Sequence, residues 1–174
     1  MRVFSTFLNA IFADLSAIAD HGGEIHKYVG DEIIATWRLG PGSNDARIVR
    51  TWASARARLS AGADRYMREF GLVPDFRAAL HAGEVVVGEL GSLKKEIALI
   101  GDPMNTAARI LDACRDLDCS ALASSALLQR LDGLPASIAP RAIAPLPLRG
   151  KSEPLELFAL ERDDAFELAN SEAG

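Results

Sequence analysis

Thiols are scarce in this 174-residue sequence: Cys114 and Cys119 are the only two, and no histidine lies near either. That makes reduced, packing thiols the expectation, ahead of a disulfide or a zinc site. Long apolar runs are also missing; none approaches the roughly 18 to 20 residues a membrane span needs. The N-terminal MRVFSTFLNAIF holds one basic residue, Asn9 and Asp14 interrupt its apolar stretch, and no small-residue cleavage site follows, so no signal peptide is expected. A cytoplasmic chain without membrane contact follows as an expectation. Positive charge is in deficit, with a net charge of −5, which argues against nucleic acid as a general partner and still permits a polyphosphate held by a local basic patch. The three histidines, His21, His26 and His81, have no spacing that suggests a metal or a nucleophile triad. The glycine-rich run Gly83 to Gly91 lacks the lysine–hydroxyl ending of a phosphate-binding P-loop, and its glycines read as turn and close-packing positions. No internal repeat occurs.

What is present is ordinary globular composition, 49% hydrophobic and 25% charged, in a chain long enough for one domain with a real core. Apolar positions at Phe4, Phe7, Leu8, Ile11, Phe12, Leu15 and Ile18 predict a helix over 3–19. A second helix is predicted from about Asp45 to Phe70, with Ile48, Trp52, Ala55, Leu59, Tyr66 and Phe70 on one stripe and Gly71 and Pro74 closing it. Residues 75–90 read as two strands joined at Ala82-Gly83-Glu84, and 96–100 as another. Asp102-Pro103 reads as an N-cap and first-turn proline of a helix ending near Cys114. A strand over 119–123, a short helix over 124–131, a loop over 132–145 and a strand pair at 143–148 and 155–160 complete the order, followed by an acidic tail expected to fray. This order is α+β and matches a ferredoxin-like βαββαβ-type core that lacks its first strand.

Three segments carry polar groups their elements do not need. Gly22 to Trp37, GGEIHKYVGDEIIATW, predicts a hairpin with Lys27 and Asp31 four residues apart across Gly30. A carboxylate on a tight turn suits a hard cation such as magnesium; it is equally an ordinary turn residue. On a helix from Asp102, Asn105 and Arg109 lie side by side at i and i+4, where an amide and a guanidinium could hold a ribose and a phosphate, or form an exposed polar pair. Arg149-Gly150-Lys151 is a basic turn able to touch phosphates.

Taken in order, GGEIHKYVGDEIIATW, LHAGEVVVGELGSLKKEIALIGDPMNTAARI and LPLRGKSEPLELFAL resemble the catalytic domain of class III nucleotide cyclases, the adenylyl and guanylyl cyclases. The resemblance spans about residues 4–160, so residues 1–160 are expected to form an N-terminally truncated cyclase domain and 161–174 the tail. It implies an adenylyl cyclase, converting ATP to cyclic AMP and pyrophosphate by attack of the ribose 3′-hydroxyl on the α-phosphate, with Mg2+ or Mn2+ as cofactor and a head-to-tail homodimer sharing its active sites. Residue by residue, Asp31 matches the second of two metal-binding aspartates and Lys27 the lysine that reads adenine. Asn105 and Arg109 match the pair that orients the ribose and stabilises the transition-state phosphate. Arg149 stands where the family usually has a phosphate-binding lysine, and keeps the charge.

Two departures qualify the resemblance. The partner of the lysine in base selection falls at Ala98, which has no hydrogen-bonding side chain, so ATP is expected over GTP on Lys27 and the backbone. The family's opening phenylalanine–x–aspartate–isoleucine strand, source of the first metal aspartate, has no counterpart; Asp14 and Asp20 do not fit the role. The 174 residues by themselves are therefore expected to cyclise ATP weakly or not at all. The alternative is a degenerate nucleotide-binding or dimerisation module. Guanylyl cyclase remains a lesser alternative, as does diguanylate cyclase, whose hairpin signature Gly30-Asp31-Glu32-Ile33 resembles but without its doubled glycine.

Overall fold

In a computed structural model, residues 2–40, 46–92, 95–146 and 154–162 are described. They fall into two units, 1–76 and 77–174, each with its own interior.

The first unit opens with α1 (Arg2–Asp14) and α2 (Ala17–Asp20). The single helix predicted over 3–19 is interrupted because the amides of Ser16, Ile18 and Ala19 bond three residues back rather than four, a tight turn at Leu15-Ser16. Long-range bonds hold this turn: Asp14 accepts from Arg65 (2.5 Å) and the Tyr66 hydroxyl (2.7 Å), and Ser16 accepts from Arg58 (2.8 Å). Phe7 packs edge-on against Tyr66 and Phe70, whereas Phe4, assigned to the same stripe, is 63% exposed.

Next come β1 (Glu24–Val29) and β2 (Glu32–Thr36), antiparallel, with Lys27 opposite Ile34 and Val29 opposite Glu32. A bulge between Ile25 and Lys27 leaves His26 without a facing residue. The ring of Phe12 on α1 lies 4.8 Å from that of Tyr28.

The helix predicted from Asp45 to Phe70 is two helices, α3 (Arg47–Ala61) and α4 (Ala63–Phe70), separated at Gly62. Their stripe matches expectation at Trp52, Ala55, Leu59 and Tyr66, all buried, with Val49 added. His21 bonds to Ser54 (3.0 Å), and the Trp37 indole donates to the His21 carbonyl (3.2 Å).

The second unit is built on a four-stranded sheet. Its strands are β3 (Ala78–Leu80), β6 (Ala121–Ser124), β7 (Ile138–Leu146) and β8 (Leu155–Arg162), in the order β3-β6-β8-β7, parallel only between β3 and β6. β4 (Val86–Leu90) and β5 (Glu96–Ile100) form a separate antiparallel pair. The strands predicted at 75–90 exist but are not joined as a hairpin: β3 lies beside β6 and β4 beside β5. Alternation in Phe76–Leu80 marks a strand without naming its partner, and here the partner is more than 40 residues away.

α5 (Asp102–Asp116) packs Ile110, Ala113 and Cys114 against Leu122, Leu157 and Ala159 of the sheet. Its N-cap is Gly101, not Asp102, which occupies the first turn and accepts a bond from Thr106 (3.2 Å). There the carboxylate suits the helix dipole. α6 (Ser125–Leu128) is capped by Ser124, whose hydroxyl accepts from the Leu127 amide (3.3 Å). β7 reaches back to Ile138, into the stretch expected to be a loop. Pro140 and Pro145 hid this strand, and they are accommodated because β7 is an edge strand of the sheet. Glu161, assigned to the tail, is in β8 and bonds to Arg141 (2.7 Å); the tail from 163 lies outside the described residues. Both cysteines are free thiols, as expected.

Candidate functional site

In the first unit the candidate groups sit on the β1–β2 hairpin. Its loop is the two residues Gly30-Asp31, and Gly30 alone has a positive φ, +64°, the signature of a type II′ turn. A methyl group at Gly30 would meet no atom within 4 Å, so glycine is there for its backbone and not for room. The turn puts the Asp31 carboxylate at the hairpin tip, exposed, and holds exposed Lys27 three residues up β1 from Gly30. Pairing in register on both sides of the loop fixes where each side chain leaves the ribbon.

In the second unit they sit on α5 and β5. Thr106, Ile110 and Ala113 are buried, which docks one stripe of α5 into the core. Asn105 and Arg109 lie on the flank of that stripe, Asn105 exposed and Arg109 half-buried, one turn apart as predicted. The start of this helix is held by close packing that the sequence reading gave no role. A Cβ on Gly83 would sit 2.5 Å from Pro103 Cγ, and one on Gly101 3.1 Å from the Glu84 carbonyl. The β3–β4 connection thus rests directly on the first turn of α5. The two glycines and the proline were legible as turn residues; their mutual contact was not, because Gly83 and Pro103 are 20 residues apart.

Ala98, half-buried on β5, faces Gly88 on β4. Two of the smallest side chains stand opposite each other, between flanking pairs Val87–Leu99 and Glu89–Ile97. Arg149 and Lys151 lie outside the described residues. The structure therefore brings Lys27 and Asp31 together on one hairpin, and Asn105 and Arg109 together on one helix face, each pair within its own unit. His81, read as structural, bonds to Ser124 (2.8 Å) at the ends of adjacent strands.

The donor set for a divalent cation is short. Among the described residues no group of three or more histidine, cysteine, aspartate or glutamate side chains could hold a metal ion. A single exposed carboxylate such as Asp31 can supply one ligand to a magnesium whose remaining shell is water or phosphate oxygens. The described residues do not fit a complete two-metal clamp.

No described helix is long and apolar enough to cross a membrane. No family model matches the chain. Over 126 residues the chain is 37% identical to adenylate cyclase 2 of Rhizobium meliloti (strain 1021), an alignment covering 72% of this chain and 35% of that protein. The chain spans 35% or less of the length of the first curated relatives it matches. The adenylyl cyclase CyaB from P. aeruginosa is similar in fold, with a TM-score of 0.78 and 19% identity over 94% of this chain and 84% of that one. The guanylyl cyclase Cya2 superposes with a TM-score of 0.74 and 21% identity over 91% of this chain and 80% of that one. A fold found in both does not by itself choose a base.

Proposed function

The chain belongs to the class III adenylyl/guanylyl cyclase family and has its α+β catalytic-domain fold, and from that premise we propose that it serves to convert ATP to cyclic AMP and pyrophosphate. The observation that carries the reading is α5. A helix locked by Thr106, Ile110 and Ala113 holds Asn105 and Arg109 one turn apart at its flank, an amide for a ribose and a guanidinium for a phosphate.

In the proposed reaction the ribose 3′-hydroxyl gives up its proton and attacks the α-phosphorus, and the bond to pyrophosphate breaks. Asn105 orients the ribose. Arg109, with Arg149, offsets the negative charge that grows on the phosphate oxygens as the new bond forms. Lys27 accepts the task of reading adenine and Ala98 leaves that choice unopposed. The chain contributes position and charge rather than a nucleophile of its own. A divalent cation supplies Lewis-acid polarisation when bound, and Asp31 is the residue assigned to it; because the described ligands are incomplete, no step is routed through it. A head-to-tail homodimer completes the site, Asp31 serving one half and Asn105 with Arg109 the other.

A second reading, a module that binds nucleotide and dimerises without turnover, is favoured by the same short donor set. Product analysis separates the two. ATP and GTP are supplied with magnesium or manganese, both to the 174-residue chain and to the longest product of its reading frame. Cyclic AMP from the longer product supports the cyclase; tight binding of 3′-deoxy-ATP with no cyclic product from either supports the module. Lys27→Glu is expected to shift preference from ATP toward GTP, and an unchanged preference removes Lys27 as the adenine reader.

A further inference from the structure

The two cysteines meet at the C-terminal cap of α5. Beyond Asp116 the chain passes Leu117 and then Asp118, which adopts φ +49°, and the helix closes with two backbone bonds. The Cys119 amide donates to the Cys114 carbonyl (3.0 Å) and the Asp118 amide to the Arg115 carbonyl (3.2 Å). These are the 6→1 and 5→2 bonds of a Schellman motif, which frequently brings together the side chains at the third-last helical position and the second position beyond the cap. Here those two positions are both cysteine. The Cys114 sulfur lies 3.1 Å from the Cys119 carbonyl oxygen, while the Cys119 thiol points toward the Leu117 carbonyl at 3.6 Å. The backbone bond from Cys119 to Cys114 and the contact of the Cys114 sulfur with the Cys119 carbonyl hold the two residues side by side across the cap.

The two thiols differ in access. Cys114 is fully buried and burial pushes its pKa up to about 11. Cys119 is half-buried and lines a cavity of about 260 Å³ with Asp118, Ser120, Arg141 and Glu161. The Arg141 guanidinium, bonded to Glu161, also faces the Cys119 thiol.

We propose that Cys114 and Cys119 form a reversible thiol–disulfide site that staples the end of α5 to the start of β6, with Cys119 reacting first and Cys114 resolving. With a small-molecule disulfide as oxidant, the Cys119 thiolate attacks one sulfur and displaces one thiolate, giving a mixed disulfide. The Cys114 sulfur then attacks the Cys119 sulfur and displaces the second thiolate, which takes up the proton that Cys114 gives up. Two protein thiols become one disulfide, and the oxidant is reduced to two thiols.

The test uses the unmodified chain, reduced and then incubated natively with oxidised glutathione. Expected are a fall from two titratable thiols per chain to none and a mass lower by two hydrogens. Trypsin cleaves after Arg115, between the two cysteines, so 110–115 and 116–130 should appear as one disulfide-linked pair, separated by dithiothreitol. Glutathione retained on Cys119 beside a free Cys114, or disulfides between two chains in place of the internal link, would overturn the proposal. In Cys119→Ser, Cys114 is expected to stay a thiol under the same treatment. Glutathione found on Cys114 in that variant would overturn the order of attack.

Discussion

At Gly83 there is no room for a methyl group, since its Cβ would stand 2.5 Å from a ring carbon of Pro103. Neither neighbour is a flexible chain end. Gly83→Ala is therefore expected to cost about 1–3 kcal/mol, read as a lower urea midpoint at unchanged slope. Tyr66 offers a different test. It is fully buried, and burial first, with the bond to Asp14 second, pushes its hydroxyl up to about 12. An unfolded tyrosine ionises at about pH 10. The folded value is the higher one, so its contribution is fully present below about pH 10 and is lost as pH rises through about 12. Between about pH 9 and about pH 11.5, Tyr66→Phe should lose less stability than the parent chain, measured as the change in urea midpoint. Equal losses would mean that Tyr66 does not titrate in that window. Lys27, Asp31, Asn105 and Arg109 were noticeable as candidates because each departs from what its own element requires. Asp14 was not: its partners Arg65 and Tyr66 lie about 50 residues along the chain, and nothing in local pattern links them.

At the scale of elements, period and punctuation carried most of the reading. The β1–β2 hairpin is where alternation and Gly30 put it, and α5 begins where Asp102-Pro103 marks it. Failures came where tertiary context outweighed local signal. Ser16 and Gly62 break helices whose apolar stripes continue past them, and two prolines concealed β7. The separation of β3 from β4 follows from pairing choices that alternation cannot express. For α5, docking and proposed function are separable. Ile110→Ala, at a fully buried position, should cost about 2–5 kcal/mol of stability. Asn105→Ala, at an exposed one, should leave the melting temperature nearly unchanged while lowering cyclase turnover of the longest product of the reading frame on the order of 10²–10³-fold. Turnover and melting measured on both variants decide it; loss of melting temperature in Asn105→Ala would make that residue structural.

For the whole molecule, the proposed sharing of sites between protomers gives the sharpest test. Asp31→Asn and Arg109→Ala each damage both sites of a homodimer. In a mixed dimer one site carries both defects and the other neither. Mixing the two inactive variants in equal amounts should recover about a quarter of the parent activity, since about half the dimers are mixed and each has one intact site. The longest product of the reading frame is the form to use, and no recovery on mixing would place all these residues in one protomer's site.

Strand β7, at one edge of the four-stranded sheet, has a consequence beyond the single chain. Sheet borders invite strand addition by neighbouring copies, which leads toward fibrous aggregates. β7 forms such a border over nine residues, long enough to be a hazard. Pro140 and Pro145 offer no amide hydrogen to an incoming strand, and the Arg141–Glu161 pair adds charge between them. The prolines that obscured this strand in the sequence also act as its gatekeepers against cross-β growth.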